Sequence, residues 1–254
     1  MREWFSRISL LVVAGLKFGK FFGTVGTMLL SIGLYALAYG WRYAVGIVAM
    51  LFIHEMGHYV AARQRGMNVG MPTFIPFVGA WVELKDRPHD AETEAYIGLA
   101  GPMLGTVGAI AAWYLARDGG VHWLLAVAYT GFFINLINMI PLPPLDGGRI
   151  TAVLSPRIWL LGVPIIGWLL WMHFSMILLL VAILAGPHVF AALNMGKRDA
   201  QAQQYYAVSP RIRWEYGLIY VGLIAFLAYM TNDVDRELRG IRRTDTGQSQ
   251  SGSV

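Results

Sequence analysis

No cysteine occurs in the chain, so disulfides and thiolate metal ligands are both excluded, and any bound metal must be held by His, Asp or Glu. Charge is scarce too. Asp, Glu, Lys and Arg make up 14% of the 254 residues against 56% apolar, and mean hydropathy is +0.52, which excludes an ordinary soluble domain. Long polar stretches are wanting, so little chain is left for soluble domains between the apolar runs. The net charge of +5 does not mark a nucleic-acid surface: the basic residues sit in short segments between apolar runs, where they set topology and meet lipid headgroups. This is the composition of a polytopic membrane protein.

The apolar runs divide the chain. Residues 1–23 carry Arg2 and Arg7 before a short apolar core but lack a small-residue cleavage site, and read as a retained interfacial or first membrane helix. Thr24–Tyr39 and Trp41–Ala62 are spans separated by a turn at Gly40. From Gly66 to Pro88 an apolar stretch is interrupted by Gly66, Gly70, Pro72, Pro76 and Gly79, too broken for a helix. It reads either as an interfacial loop or as a re-entrant β segment whose edge can pair with an extended peptide. Ala95–Leu115 is a span with a small-residue face of Gly98, Gly101, Gly105 and Gly108, suited to close helix contact. Trp123–Ile140 returns across the membrane and runs into Pro141, Pro143, Pro144, Asp146, Gly147 and Gly148, an unwound segment holding one carboxylate. Ile158–Phe190 is one long span or a hairpin turning near Trp171–Ser175, and Trp214–Met230 is the last span.

The expected fold is an all-α polytopic membrane protein of about six transmembrane helices with a small membrane-associated β or re-entrant segment. Its divisions are the N-terminal helix at 1–23, a membrane core at 24–150, C-terminal membrane helices at 151–232 and a disordered tail at 233–254. Placing Lys17 and Lys20, then Arg63, Arg65, Lys85 and Arg87, then Arg149 and Arg157 on the cytoplasmic side is self-consistent, because an even number of crossings separates the three groups.

The span Trp41–Ala62 contains His54-Glu55-Met56-Gly57-His58. Four residues apart on a helix, the two imidazoles project from one face and can grip one ion, with Glu55 close enough to act as a base on an activated water. Ionisable groups at membrane depth are costly and by default mark function. A catalytic zinc takes three protein ligands and leaves one position open. Glu94, Asp118 and His122 lie at span ends; Asp86, His89 and Asp90 belong to a polar loop; His173 and His188 flank an ill-defined span. Asp146 sits in the proline-broken segment on the same side as the end of the metal helix and is the preferred third ligand, although an Asx turn with Gly147 would suit the local sequence as well. Asn135 and Asn138 either line a water path to this site or hydrogen-bond between helices.

The order His54-Glu55-x-x-His58, Gly101-Pro102, Asn138-x-x-Pro141 and Leu145-Asp146-Gly147 resembles the site-2 protease family of intramembrane zinc metalloproteases, over roughly residues 20–150. The resemblance implies one Zn²⁺ per chain on His54, His58 and Asp146, with Glu55 as general base and then general acid. It implies Asn138, and with it Asn135, at the substrate backbone or the oxyanion, and the segment 66–88 as a β region near the substrate. The implied partners are membrane-protein substrates with a transmembrane helix and the lipid bilayer, with no nucleic acid; the implied setting is a bacterial inner membrane, with the active site toward the cytoplasm. Many members carry an Asn soon after the Gly-Pro pair, where this chain has Gly105, and many carry a PDZ or CBS domain for which these residues leave no room. A catalytically inactive membrane scaffold and an ion-binding transporter are the competing readings. Retained Glu55 argues against the first, and the lack of further acids within spans argues against the second.

Overall fold

The structure, a computed structural model, describes residues 23–194 and 200–251, so the expected N-terminal helix at 1–23 falls almost wholly outside the described residues. In chain order the elements are α1 (Gly23–Tyr39), α2 (Trp41–Gln64), β1 (Thr73–Ile75), β2 (Gly79–Trp81), α3 (Ala91–Arg117), α4 (Trp123–Asn138) and the short α5 (Asp146–Ala152). They continue with α6 (Trp159–Met172), α7 (Met176–Leu193), α8 (Ala200–Tyr205) and α9 (Pro210–Ser251). Four helices, α2, α3, α7 and α9, are long and apolar enough to cross a bilayer; α1, α4 and the Pro156–Met172 stretch are apolar but shorter. The molecule is a helical integral membrane protein with one two-stranded sheet among its described residues.

α2, α3 and α4 form the centre, and small residues decide how closely they meet. A Cβ at Gly57 would overlap the Ala100 carbonyl, so α2 and α3 touch backbone to backbone there, and Gly46 of α2 receives Val127 of α4. The expected small-residue face of α3 is used at every step: Gly98 faces Arg149 and Asp146 of α5, Gly101 the His58 ring, Gly105 the Asn135 amide and Gly108 Ile53. Gly57→Ala has no flexible neighbour to displace and should lose about 1–3 kcal/mol of stability by overpacking, measured as a lowered melting temperature in detergent.

The broken stretch after α2 is indeed short strands. β1 and β2 pair antiparallel, Thr73 opposite Trp81 and Ile75 opposite Gly79, and the ribbon extends to a bridge between Val69 and Leu84. Protein covers one side of it. Phe74 is buried with Val48 and Leu51 of α2, the Phe52 and Phe74 rings stack, and α1 supplies hydrogen bonds from Thr24 to the Pro72 carbonyl and from the Phe77 amide to Tyr35. These partners satisfy backbone groups that would otherwise be stranded in an apolar setting. Trp81, Val78 and, despite an edge-on contact with the Tyr35 ring, Phe77 stay largely exposed.

The stretch from Ile158 to Phe190 is a hairpin: α6 and α7 turn at His173–Ser175 and pack on each other and on Leu142. Two expectations are revised. Asp146 does not lie in the unwound segment itself, which is 139–145; it opens α5, where an acid is favoured by the first-turn amides. And α9 runs on through Ser251, across the region expected as a disordered tail from 233. Val234 is fully buried in the cluster that includes Phe132 and Leu227, Glu237 pairs with Arg117 at 3.6 Å, and Arg239 pairs with Asp235 one turn away. That packing outweighs the polar composition.

Candidate metal centre

α2 delivers His54, Glu55 and His58 from its middle, where the helix is enclosed by α3 and α4, and all three side chains are buried. The rings stand nearly perpendicular with their Nε2 atoms 3.2 Å apart. Each ring is held from behind at Nδ1: His58 faces the Ile97 carbonyl at 2.8 Å, and His54 faces Asn135 Oδ1 at 2.8 Å. The Ile97 carbonyl only accepts, so His58 Nδ1 carries the hydrogen and Nε2 presents a lone pair.

Asp146 comes from the far side of the chain. The segment 139–145 folds so tightly that a Cβ at Gly147 would overlap the Met139 and Ile140 carbonyls, and one at Gly148 would overlap Pro143. Three side chains fix its position: Trp159 Nε1 donates to the Gly148 carbonyl at 2.8 Å, Tyr220 of α9 donates to the Met139 carbonyl, and Arg213 donates to the Leu154 carbonyl. Asp146 thereby meets both rings, Oδ2 at 3.1 Å from His54 Nε2 and Oδ1 at 3.2 Å from His58 Nε2.

Three donor groups therefore converge with nearly equal separations of 3.1–3.2 Å. Nitrogen and oxygen ligands at about 2.05 Å on a tetrahedral ion lie about 3.3 Å from one another. Asp146 Oδ2 is buried with no hydrogen-bond partner, a costly state for a carboxylate oxygen that a cation would relieve. The two imidazoles and one carboxylate are zinc-type donors, and His54, His58 and Asp146 are the group of three described residues able to hold a metal ion. The residues present fit the ion.

Glu55 is buried and adjacent in sequence to His54. Asn135 joins the cluster through His54. Asn138 stays outside, its amide donating to the Ile134 carbonyl on its own helix at 3.0 Å. Among the other acids and histidines considered, Asp90 caps α3 through the Thr93 amide, Glu94 accepts from Tyr205, and His188 packs on Trp159. Burial and the Glu94 carboxylate push the Tyr205 phenol well above its usual range. Sequence reasoning missed Tyr220, Arg213 and Trp159, and no local pattern marks them.

Apolar membrane helices enclosing a buried cluster of two histidines and a carboxylate define a membrane-embedded protein with a metal-type centre. The model of peptidase family M50 matches residues 42–117, from the start of α2 to the end of α3. A probable chloroplastic zinc metalloprotease of Arabidopsis thaliana, EGY1, is 25% identical over 153 residues, covering 42% of this chain and 28% of its own length. The zinc metalloprotease MJ0392 of Methanocaldococcus jannaschii is 29% identical over 111 residues, covering 41% of this chain and 32% of its own. The solved structure of the site-2 protease from M. jannaschii aligns over 72% of this chain and 87% of its own at 20% identity, with a TM-score of 0.40. The chain is thus similar to peptidase family M50 across α2 and α3, the helices that carry the two histidines and the small-residue face packed on them. It spans about a third of the length of the curated relatives it matches.

Proposed function

We propose that the chain is a zinc-dependent endopeptidase that cleaves transmembrane segments of membrane-protein substrates inside the bilayer. The observation carrying this reading is the convergence of His54, His58 and Asp146 at 3.1–3.2 Å within buried membrane helices, on the same helix as a buried Glu55. His54, His58 and Asp146 hold one zinc ion per chain. Bound there, zinc supplies a Lewis acid and makes water a nucleophile at neutral pH.

The chain's own groups do the rest. Glu55 takes a proton from the attacking water on its carboxylate and then delivers it to the departing amide nitrogen, acting as base and then acid. The low-dielectric surroundings strengthen every charge interaction in that exchange. A substrate helix hides its amides in its own hydrogen bonds and must unwind locally before attack. The outer edge of the two-stranded β1–β2 ribbon can take up the freed backbone groups, which would cost several kcal/mol each if left in lipid. Asn138, at the end of α4 and without a contact to the three ligands, stays available for the substrate backbone or the developing oxyanion.

Residues 24–150 form the catalytic core, and 151–232 support it through Trp159, Arg213 and Tyr220. Arg63, Arg65, Lys85, Arg87, Arg149 and Arg157 put the metal end of the core toward the cytoplasm of a bacterial inner membrane. The α6–α7 hairpin, crossing twice, keeps Arg211 on that same side. The reading is tested by zinc analysis of the purified protein beside cleavage of a model transmembrane peptide in vesicles. About one zinc per chain with chelator-sensitive cleavage supports it; zinc-loaded protein that cleaves none of a panel of transmembrane peptides leaves an inactive scaffold instead.

A further inference from the structure

We infer that Asn135 is a positioning residue: it fixes the tautomer and ring orientation of His54, from a seat that exists only because residue 105 is glycine. The inference rests on the zinc reading above and deepens it by naming how one ligand is prepared.

The chain of contacts has one consistent solution. The Asn135 side chain is 2% exposed, so its polar atoms must find partners within the protein. Nδ2 lies 2.7 Å from the Gly131 carbonyl, which can only accept, and therefore Nδ2 is the donor there. That leaves Oδ1, an acceptor only, facing His54 Nδ1 at 2.8 Å. His54 must then carry its hydrogen on Nδ1, and Nε2 turns a lone pair toward His58 Nε2 and Asp146. A flipped amide would set the NH₂ group against an N–H or consume the wrong lone pair, and would leave the Gly131 carbonyl facing an oxygen.

The same outcome is reached at His58 by a different device, the Ile97 backbone carbonyl. That acceptor is part of α3 and comes with the fold. The acceptor for His54 is a side chain from α4 and needs room. Gly105 provides it: a Cβ there would overlap Asn135 Oδ1 and lie 2.8 Å from Nδ2 and 3.0 Å from Cγ. Gly131, the next link, sits where a Cβ would press on Ala109 of α3 and Met50 of α2, so the α4 carbonyl that orients the amide is itself held close to both helices. Partners of this kind typically carry a 10–100-fold share of metal affinity when removed.

The test uses full-length protein in detergent or nanodiscs, as wild type, Asn135→Leu, Asn135→Asp and Gly105→Ala. Zinc affinity is read by competition with a chromophoric chelator, and ligand geometry by the visible spectrum of the cobalt-loaded protein. Leu keeps the bulk and removes the acceptor; zinc binding should weaken about 10–100-fold and the cobalt bands should shift. Asp keeps an acceptor for the Nδ1 hydrogen but loses the donor to the Gly131 carbonyl, so it should bind zinc more tightly than Leu and more weakly than wild type. Gly105→Ala leaves Asn135 in place but pushes it off the ring, so it should weaken zinc in the direction of Leu. It also decides the matter if Asn135→Leu does not fold. Leu and Asp variants equally impaired would make Asn135 a packing residue and overturn the inference. Gly105→Ala or Asn135→Leu with wild-type affinity and spectrum would overturn it as well, while a wild type that binds no zinc would instead defeat the reading of the site on which it rests.

Discussion

Glu55→Gln should leave zinc content at the wild-type level and slow cleavage of a transmembrane substrate by about 10²- to 10⁴-fold, the usual contribution of a positioned acid–base group. The two effects separate because of where Glu55 sits. Its neighbours in sequence and space, His54 and His58, meet Asp146 and not Glu55, so the three donors converge without it. The substitution keeps side-chain volume in a buried position and removes only the capacity to take and release a proton. Zinc by elemental analysis and single-turnover cleavage of a labelled transmembrane peptide check the two halves independently. A variant that cleaves as fast as wild type would remove Glu55 from the chemistry.

Asp146→Ala should abolish zinc binding, and its effect on stability should change sign with zinc. In chelator the wild type buries a carboxylate oxygen without a hydrogen-bond partner, a state that disfavours folding. Removing that carboxylate should therefore leave the melting temperature in chelator unchanged or raised. With zinc at about a thousandfold over its dissociation constant, the wild type should gain about 4 kcal/mol and the variant none. Melting curves with and without zinc, for both proteins, read this directly. A variant destabilised equally in both conditions would mean that Asp146 acts as a structural hydrogen-bonding group.

How much of this is legible in sequence depends on how local the signal is. The pair His54 and His58 needs only helical periodicity, and four-residue spacing carries it. The glycines and prolines between Gly66 and Pro88 exclude a membrane helix, but whether the stretch is loop or strand is settled by its packing on α1 and α2. Asp146 is harder; it stands out because few other ionisable groups lie at membrane depth, but its place at the start of α5 depends on how Gly147 and Gly148 pack against residues 139–143. Asn135 is beyond local reading. Whether it faces substrate, water or His54 depends on the rotation of α4 about its axis, and that is set by Gly46 against Val127 and Gly131 against Met50. The continuation of α9 is hidden for the same reason: a polar stretch becomes helix once Val234 and Leu238 find the cluster around Phe132.

The central claim is that one zinc ion is held by two imidazoles from α2 and one carboxylate from α5. X-ray absorption at the zinc edge, on protein loaded with a single equivalent, tests it most directly. Two imidazole nitrogens and low-number oxygen ligands at about 2.0–2.2 Å are expected, with one imidazole lost in His54→Ala and one in His58→Ala. An all-oxygen shell, or a spectrum unchanged by either substitution, would contradict it.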